Sequence, residues 1–141
     1  MRISSFELKA GTASAAEKKG EELARYLEGG DILCLKGELG VGKTTFVKGM
    51  IRALQGEETL FLGSPTYTLV QEYRAKEPPV FHFDFYRLKS AAEVWGIGFE
   101  EYLMEGGVIL IEWADLFPEV IPEGAAWLEF SKRGEAKLRL T

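Results

Sequence analysis

Asp31-Ile-Leu-Cys-Leu-Lys-Gly-Glu-Leu-Gly-Val-Gly-Lys-Thr-Thr45 reads as a short apolar strand that runs into a glycine-rich turn and then a helix. Gly37, Gly42, Lys43 and Thr44 fill the fixed positions of G-x-x-x-x-G-K-[ST], the pattern of a phosphate-binding loop. Each residue type has a reason to be there. The glycines, Gly40 included, let the backbone curl so that N–H groups, among them those of Val41 and Thr45, point at phosphate oxygens. Lys43 reaches β- and γ-phosphates and the Thr44 hydroxyl suits Mg²⁺. Helix polarity adds partial positive charge at the same spot. On either side the context agrees: Ile32 to Leu35 reads as a buried strand, and Phe46, Val47, Met50, Ile51 and Leu54 fall on one helix face.

The remaining composition narrows the class. A chain of 141 residues is expected to form one domain, 1–141, with a single core. No run approaches the roughly 18 apolar residues that span a membrane, and the first residues lack the apolar centre of a secretion signal. A soluble cytoplasmic protein is expected. The lone Cys34 lies in the strand before the loop, where it reads as buried packing. A net charge of −5 argues against a broad basic surface for nucleic acid. The absence of any Asn excludes an N-K-x-D guanine motif and makes ATP the default nucleotide.

Taken in order, residues 2–8 suggest an edge strand, and Ser14 to Glu17 forms a capping box that opens a helix ended by Gly29-Gly30. Pro65 holds Ser64 extended in the stretch Ser64-Pro-Thr-Tyr67. Thr68 to Tyr73 and Val80 to Phe85 read as an antiparallel hairpin, whose second arm puts His82, Asp84 and Tyr86 on one face and Phe81, Phe83 and Phe85 on the other. One of those faces is expected to be core and the other polar and open to chemistry. Ser90 to Glu93 is another capping box, for a helix that Gly96 and Gly98 interrupt. Val108 to Ile111 reads as a strand buried on both faces and ended by Glu112; 126–130 and 136–140 close the chain as a hairpin, with Trp127 and Leu128 toward the protein. The expected fold is α/β, a P-loop NTPase fold with a central, mostly parallel sheet, antiparallel hairpin additions and helices on both faces.

Hydrolysis of a triphosphate requires a metal anchor and a group that orients water. Glu112, an acid at the end of an apolar strand, reads as the second metal ligand, as the acid that holds its water, or as a solvated strand end. Asp84 reads as a metal-water ligand, as the group that orients water, or as an ion-pair partner of Arg87 or Lys89. Ser64 and Thr66 form either a segment that senses the γ-phosphate or a plain turn. His82, the only histidine, has no second imidazole for a zinc site and reads as a packed, hydrogen-bonded residue.

Four stretches stand in order: G-E-L-G-V-G-K-T-T at 37–45, S-P-T-Y at 64–67, H-F-D-F-Y-R-L at 82–88 and I-E-W-A-D at 111–115. Together they resemble the TsaE (YjeE) family of bacterial P-loop ATPases over nearly the whole chain. The resemblance implies Mg²⁺-dependent ATP hydrolysis in the making of N6-threonylcarbamoyladenosine in tRNA, in support of a TsaD–TsaB heterodimer, with tRNA met only through the complex. It further implies that Gly40 to Thr45 hold the phosphates, that Thr44 and Glu112 serve Mg²⁺, that Asp84 supports hydrolysis and that Thr66 belongs to a switch-like segment. Trp113 is then a functional neighbour of Glu112, and Thr12 and Arg133 flank adenine. Glu38 and Val41 depart from the commoner Asp and Ala of similar proteins. A small-molecule kinase, with Asp84 as base, and a nucleotide-gated binding module are the competing readings.

Overall fold

In a computed structural model, which describes residues 1–9, 12–37, 43–131 and 135–140, the chain builds one seven-stranded sheet with helices on both faces. The strands are β1 (Glu7–Leu8), β2 (Ile32–Lys36), β3 (Val70–Tyr73), β4 (Val80–Asp84), β5 (Val108–Glu112), β6 (Ala126–Phe130) and β7 (Ala136–Leu140). Their order across the sheet is β1-β7-β6-β2-β5-β4-β3. The four central strands β6, β2, β5 and β4 run parallel, while β3 and the β7–β1 pair are antiparallel edges. That is the expected α/β arrangement.

Helices α1 (Ala13–Ala24) and α2 (Lys43–Gln55) cover one face, where Leu23, Phe46, Val47, Met50 and Ile51 pack with Leu33, Leu35, Val108, Leu110 and Leu128. Helices α3 (Ala91–Gly96) and α4 (Phe99–Glu105), with two 3₁₀ turns at Ala114–Leu116 and Pro118–Val120, cover the other. There Val94, Phe99, Ala114 and Phe117 meet Phe81, Phe83, Ile109, Ile111 and Trp127. Strand alternation sends odd and even residues to opposite layers, so the neighbours Trp127 and Leu128 are both buried, one in each layer.

Two boundaries differ from expectation. Only Glu7–Leu8 pairs as a strand, because the start of the chain bonds elsewhere: the Met1 ammonium reaches Asp31 at 2.8 Å and the Arg2 N–H donates to the Tyr26 carbonyl. Helix α1 starts two residues early. Its N-cap is Thr12, not Ser14, with the Thr12 hydroxyl accepting from the Ala15 N–H at 3.1 Å. At Ser90 the cap forms, its hydroxyl accepting from the Glu93 N–H at 3.2 Å, but the Glu93 carboxylate accepts from the N–H of Lys89, one residue before the N-cap, so the box is closed one residue early.

Candidate phosphate-binding and carboxylate site

β2 delivers the chain to the motif through Gly37, a position only glycine can hold. Its φ is +123°, and a Cβ there would lie 2.3 Å from the Phe130 carbonyl oxygen. Beyond the motif, Lys43 opens α2 and is buried, 1% exposed. Its ammonium donates to the Gly37 carbonyl at 3.1 Å, stands 3.8 Å from Glu112 Oε1 and lies over the Trp113 ring at 5.6 Å. Trp113 itself takes a left-handed backbone, φ 61°, immediately after β5. For a bulky residue such a backbone costs roughly 1–3 kcal/mol and tends to collect at functional sites.

The two acids meet because β4 and β5 are parallel neighbours in a register that pairs Asp84 with Glu112. Both end their strands on the layer that faces α2, and both are buried, 2% and 3% exposed. Asp84 Oδ2 accepts from the hydroxyls of Ser64 at 2.8 Å and Thr66 at 2.9 Å, and Oδ1 accepts from the Tyr86 N–H at 2.8 Å. Glu112 Oε2 accepts from Ser64 at 3.3 Å and lies 2.6 Å from His82 Nε2. Burial alone pushes the Glu112 carboxyl up. The hydrogen bond and charge of His82, the Lys43 ammonium and the Ser64 hydroxyl outweigh it and hold the carboxyl below its ordinary value.

The polar face of β4 is therefore not open, as the alternation suggested, but roofed. Phe61 stacks on His82, with centroids 6.5 Å apart and planes at 19°, and Ser64 and Thr66 close over Asp84. A second left-handed residue, Leu69 at φ 73°, anchors this roof, its carbonyl accepting from the Asp84 N–H at 3.1 Å. Neither Arg87 nor Lys89 pairs with Asp84; the Arg87 guanidinium lies over the Tyr67 ring at 4.8 Å.

Thus Gly37, Lys43, Asp84, Thr66 and Glu112 converge. Thr44 sits exposed and Thr45 half-buried in the first turn of α2. Thr12 lies at the α1 cap, with its hydroxyl engaged there. Gly40, Val41, Gly42 and Arg133 lie outside the described residues. His82 is packed and hydrogen-bonded as the sequence suggested, in the layer it shares with Asp84 by alternation; that its partner is Glu112 on the neighbouring strand was not legible.

No group of three or more His, Cys, Asp or Glu among the described residues forms a metal cage. Mg²⁺ does not require one, since it binds through one or two carboxylates together with phosphate oxygens. The donor chemistry fits it: the cluster buries two carboxylates against one ammonium, all hard ligands or counter-charges.

A central parallel sheet, a G-x-x-x-x-G-K-T sequence that leads from the carboxyl end of β2 to Lys43 at the start of α2, and acids on the neighbouring strand ends define a protein of the P-loop NTPase-like class. Comparison with known proteins narrows this. The family described as "Threonylcarbamoyl adenosine biosynthesis protein TsaE" matches residues 10–140, and the chain belongs to that family. Proteins named tRNA threonylcarbamoyladenosine biosynthesis protein TsaE are similar to it. The one from Bacillus subtilis is 36% identical over 84% of this chain and 72% of its own length. That from Aquifex aeolicus is 38% identical over 70% and 68%. The Rickettsia conorii protein is 42% identical over 74% of this chain, which spans only 59% of that relative. The crystal structure of Bacillus subtilis YdiB superimposes with a TM-score of 0.76 at 28% identity, covering 98% of this chain and 85% of that one.

Proposed function

We propose that the chain is the ATP-hydrolysing component of the tRNA N6-threonylcarbamoyladenosine machinery, acting in the cytoplasm in support of a TsaD–TsaB transferase. The observation that carries this is the meeting of Lys43, Glu112 and Asp84 at the end of the G-x-x-x-x-G-K-T strand. A triphosphate is strongly anionic, and two buried carboxylates repel it unless a divalent cation stands between them. Mg²⁺, held by Thr44 and Glu112, would supply that charge and polarise the γ-phosphoryl oxygens.

The chain's own groups then have separate tasks. Lys43, already fixed by Gly37 and Trp113, neutralises phosphate charge without having to reorganise. Among the described residues three donors meet the Asp84 carboxylate, which offers about four lone-pair directions, and they leave one on Oδ1. That direction suits an oriented water. Ser64 and Thr66, bonded to the acids, form the element that nucleotide binding would rearrange. No helix among the described residues is long and apolar enough to cross a membrane. With a net charge of −5, tRNA would meet this chain through the partners rather than directly.

Phosphate release from ATP, measured with and without purified TsaD–TsaB, tests the reading. Stimulation and complex formation are expected; neither occurring sinks it, and phosphate transfer to an added nucleoside favours a kinase. Lys43→Ala and Glu112→Ala should each cut turnover at least a hundredfold in folded protein.

A further inference from the structure

His82 is the polar group at the centre of the cluster to which no part of the chemistry above is assigned. It is 1% exposed and, among the described residues, makes one polar contact, from Nε2 to Glu112 Oε2 at 2.6 Å, while its buried Nδ1 has no partner among them. A side chain that served only to fill this space would do better without the orphaned nitrogen, because an unpaired buried polar atom destabilises the fold. The contact to Glu112 is what offsets it.

We propose that His82 is a positioning residue for Glu112, which fixes the carboxylate so that Oε1 faces the motif lysine and a bound Mg²⁺–nucleotide; this rests on the reading of Glu112 as the metal-side acid. A carboxylate only accepts, so the proton in the short contact belongs to Nε2. Both the neutral ring, with its single N–H there, and the charged ring donate from that nitrogen. The bond therefore does not depend on the charge of the ring. Phe61, stacked at 19°, holds the ring plane, and the Ser64 hydroxyl, whose one proton is shared with Asp84 Oδ2 at 2.8 Å, approaches the same Oε2 at 3.3 Å. With Oε2 held from two sides, Oε1 is left 3.8 Å from Lys43 Nζ. A glutamate has three side-chain torsions, and without His82 only the longer Ser64 bond and the lysine would restrain them. Partners of metal-ligating groups typically change metal affinity or activity by about 10–100-fold when removed.

The test compares wild type with His82→Leu, which fills similar space without a donor, and His82→Gln, whose amide nitrogen reaches the place of Nε2. ADP affinity is measured calorimetrically in EDTA and in Mg²⁺, and ATP turnover is followed against Mg²⁺ concentration. His82→Leu should bind ADP in EDTA within about twofold of wild type yet lose tenfold or more of the tightening by Mg²⁺, with His82→Gln recovering most of it. Because the chain has one histidine, a long-range nitrogen NMR spectrum of wild type reads the ring directly. A slowly exchanging proton on Nε2, lost in Glu112→Ala, is expected, and this readout stands even if His82→Leu does not fold. A ring protonated only on Nδ1, an unchanged Mg²⁺ effect in His82→Leu, or a glutamine no better than leucine overturns the proposal. If wild type itself shows no Mg²⁺ effect on ADP, the reading of Glu112 falls first and His82 with it.

Discussion

Gly49→Ala sets two physical effects against each other in the helix that carries Lys43. Gly49 lies in the interior of α2, where alanine is favoured over glycine by about 1 kcal/mol. On propensity alone the variant gains stability. The packing says the opposite. A Cβ at Gly49 would stand 2.1 Å from the Glu17 carbonyl oxygen on α1, and one at Gly20 would stand 2.1 Å from the Phe46 carbonyl oxygen on α2, where ordinary contact begins at 3.4 Å. These two glycines let the backbones of α1 and α2 touch. Neither obstacle is a flexible side-chain end, so the helices must part by about an ångström. A radial gap of that size forfeits about a quarter to a half of each contact's attraction, here among Leu23, Phe46, Val47 and Met50. Overpacking of this kind costs about 1–3 kcal/mol, occasionally more, and backbone against backbone belongs at the upper end. The net expectation is a loss of about 2 kcal/mol, or a fall in Tm of roughly 6–10 °C for a chain of this size. Thermal and urea unfolding, followed by circular dichroism, measure it. Gly20→Ala should behave alike, and the double variant should cost less than the sum, because helices already parted admit the second methyl. A Gly49→Ala protein that melts at or above the wild-type temperature refutes the argument.

Gln55 is a second packing device: its amide donates to the Lys76 and Pro78 carbonyls, both at 2.9 Å, and accepts from the Lys76 N–H at 3.0 Å. Gln55→Leu strands those backbone groups and should cost about 2 kcal/mol, with the Lys76 amide exchanging hydrogen faster; unchanged exchange would dismiss the clamp. Burial, with a smaller contribution from the Asp115 charge, pushes the Cys34 thiol up to about 12. A thiol reagent at pH 8 should therefore label native protein only at the rate of unfolding, and prompt labelling without denaturant would contradict it. Because the Glu112 carboxyl is held low in the fold, its contribution to stability is present above the unfolded value near 4.3 and is lost as pH falls through the lower folded value. In metal-free buffer, wild type should thus lose stability relative to Glu112→Gln as pH drops from 7 to 3, and a constant difference would count against that sign.

What was legible in the chain was whatever depends on near neighbours. The strand before the glycine-rich motif, the Ser90 cap, the aliphatic run 108–111 and the alternation in 80–85 each follow from local sterics or periodicity, and each appears in place. The start of α1 was misjudged for a local reason as well: two hydroxyls, Thr12 and Ser14, compete as caps, and the fuller S-x-x-E pattern lost to the helix that includes two more residues. What stayed hidden was long-range. Alternation shows that His82 and Asp84 share a face, but not that β4 lies beside β5, or in which register. A shift of one residue in that pairing would turn one acid to the aromatic layer. Nor does a Ser-Pro-Thr loop announce that its hydroxyls fold back onto an acid 20 and 18 residues away, which is why Ser64 and Thr66 stayed balanced between switch and turn.

The register also explains why so many donors gather here. In-register neighbours on adjacent strands lie about 5 Å apart, so Asp84 and Glu112 are two carboxylates held close together in a medium that screens them poorly. Ser64 is the side chain that touches both, at 2.8 and 3.3 Å. Thr66 and the Tyr86 amide serve Asp84 alone, and His82 and Lys43 serve Glu112. Each donor lowers the repulsion locally, and none supplies a full second positive charge unless the imidazole is protonated. The arrangement is stable enough to fold and, with the imidazole neutral, still short of positive charge. A divalent cation that arrives with a nucleotide would complete it from the Oε1 side of Glu112, and by neutralising the two carboxylates it would loosen the bonds that Ser64 and Thr66 make to them. The 64–66 segment would then report occupancy of the phosphate site to whatever docks over it.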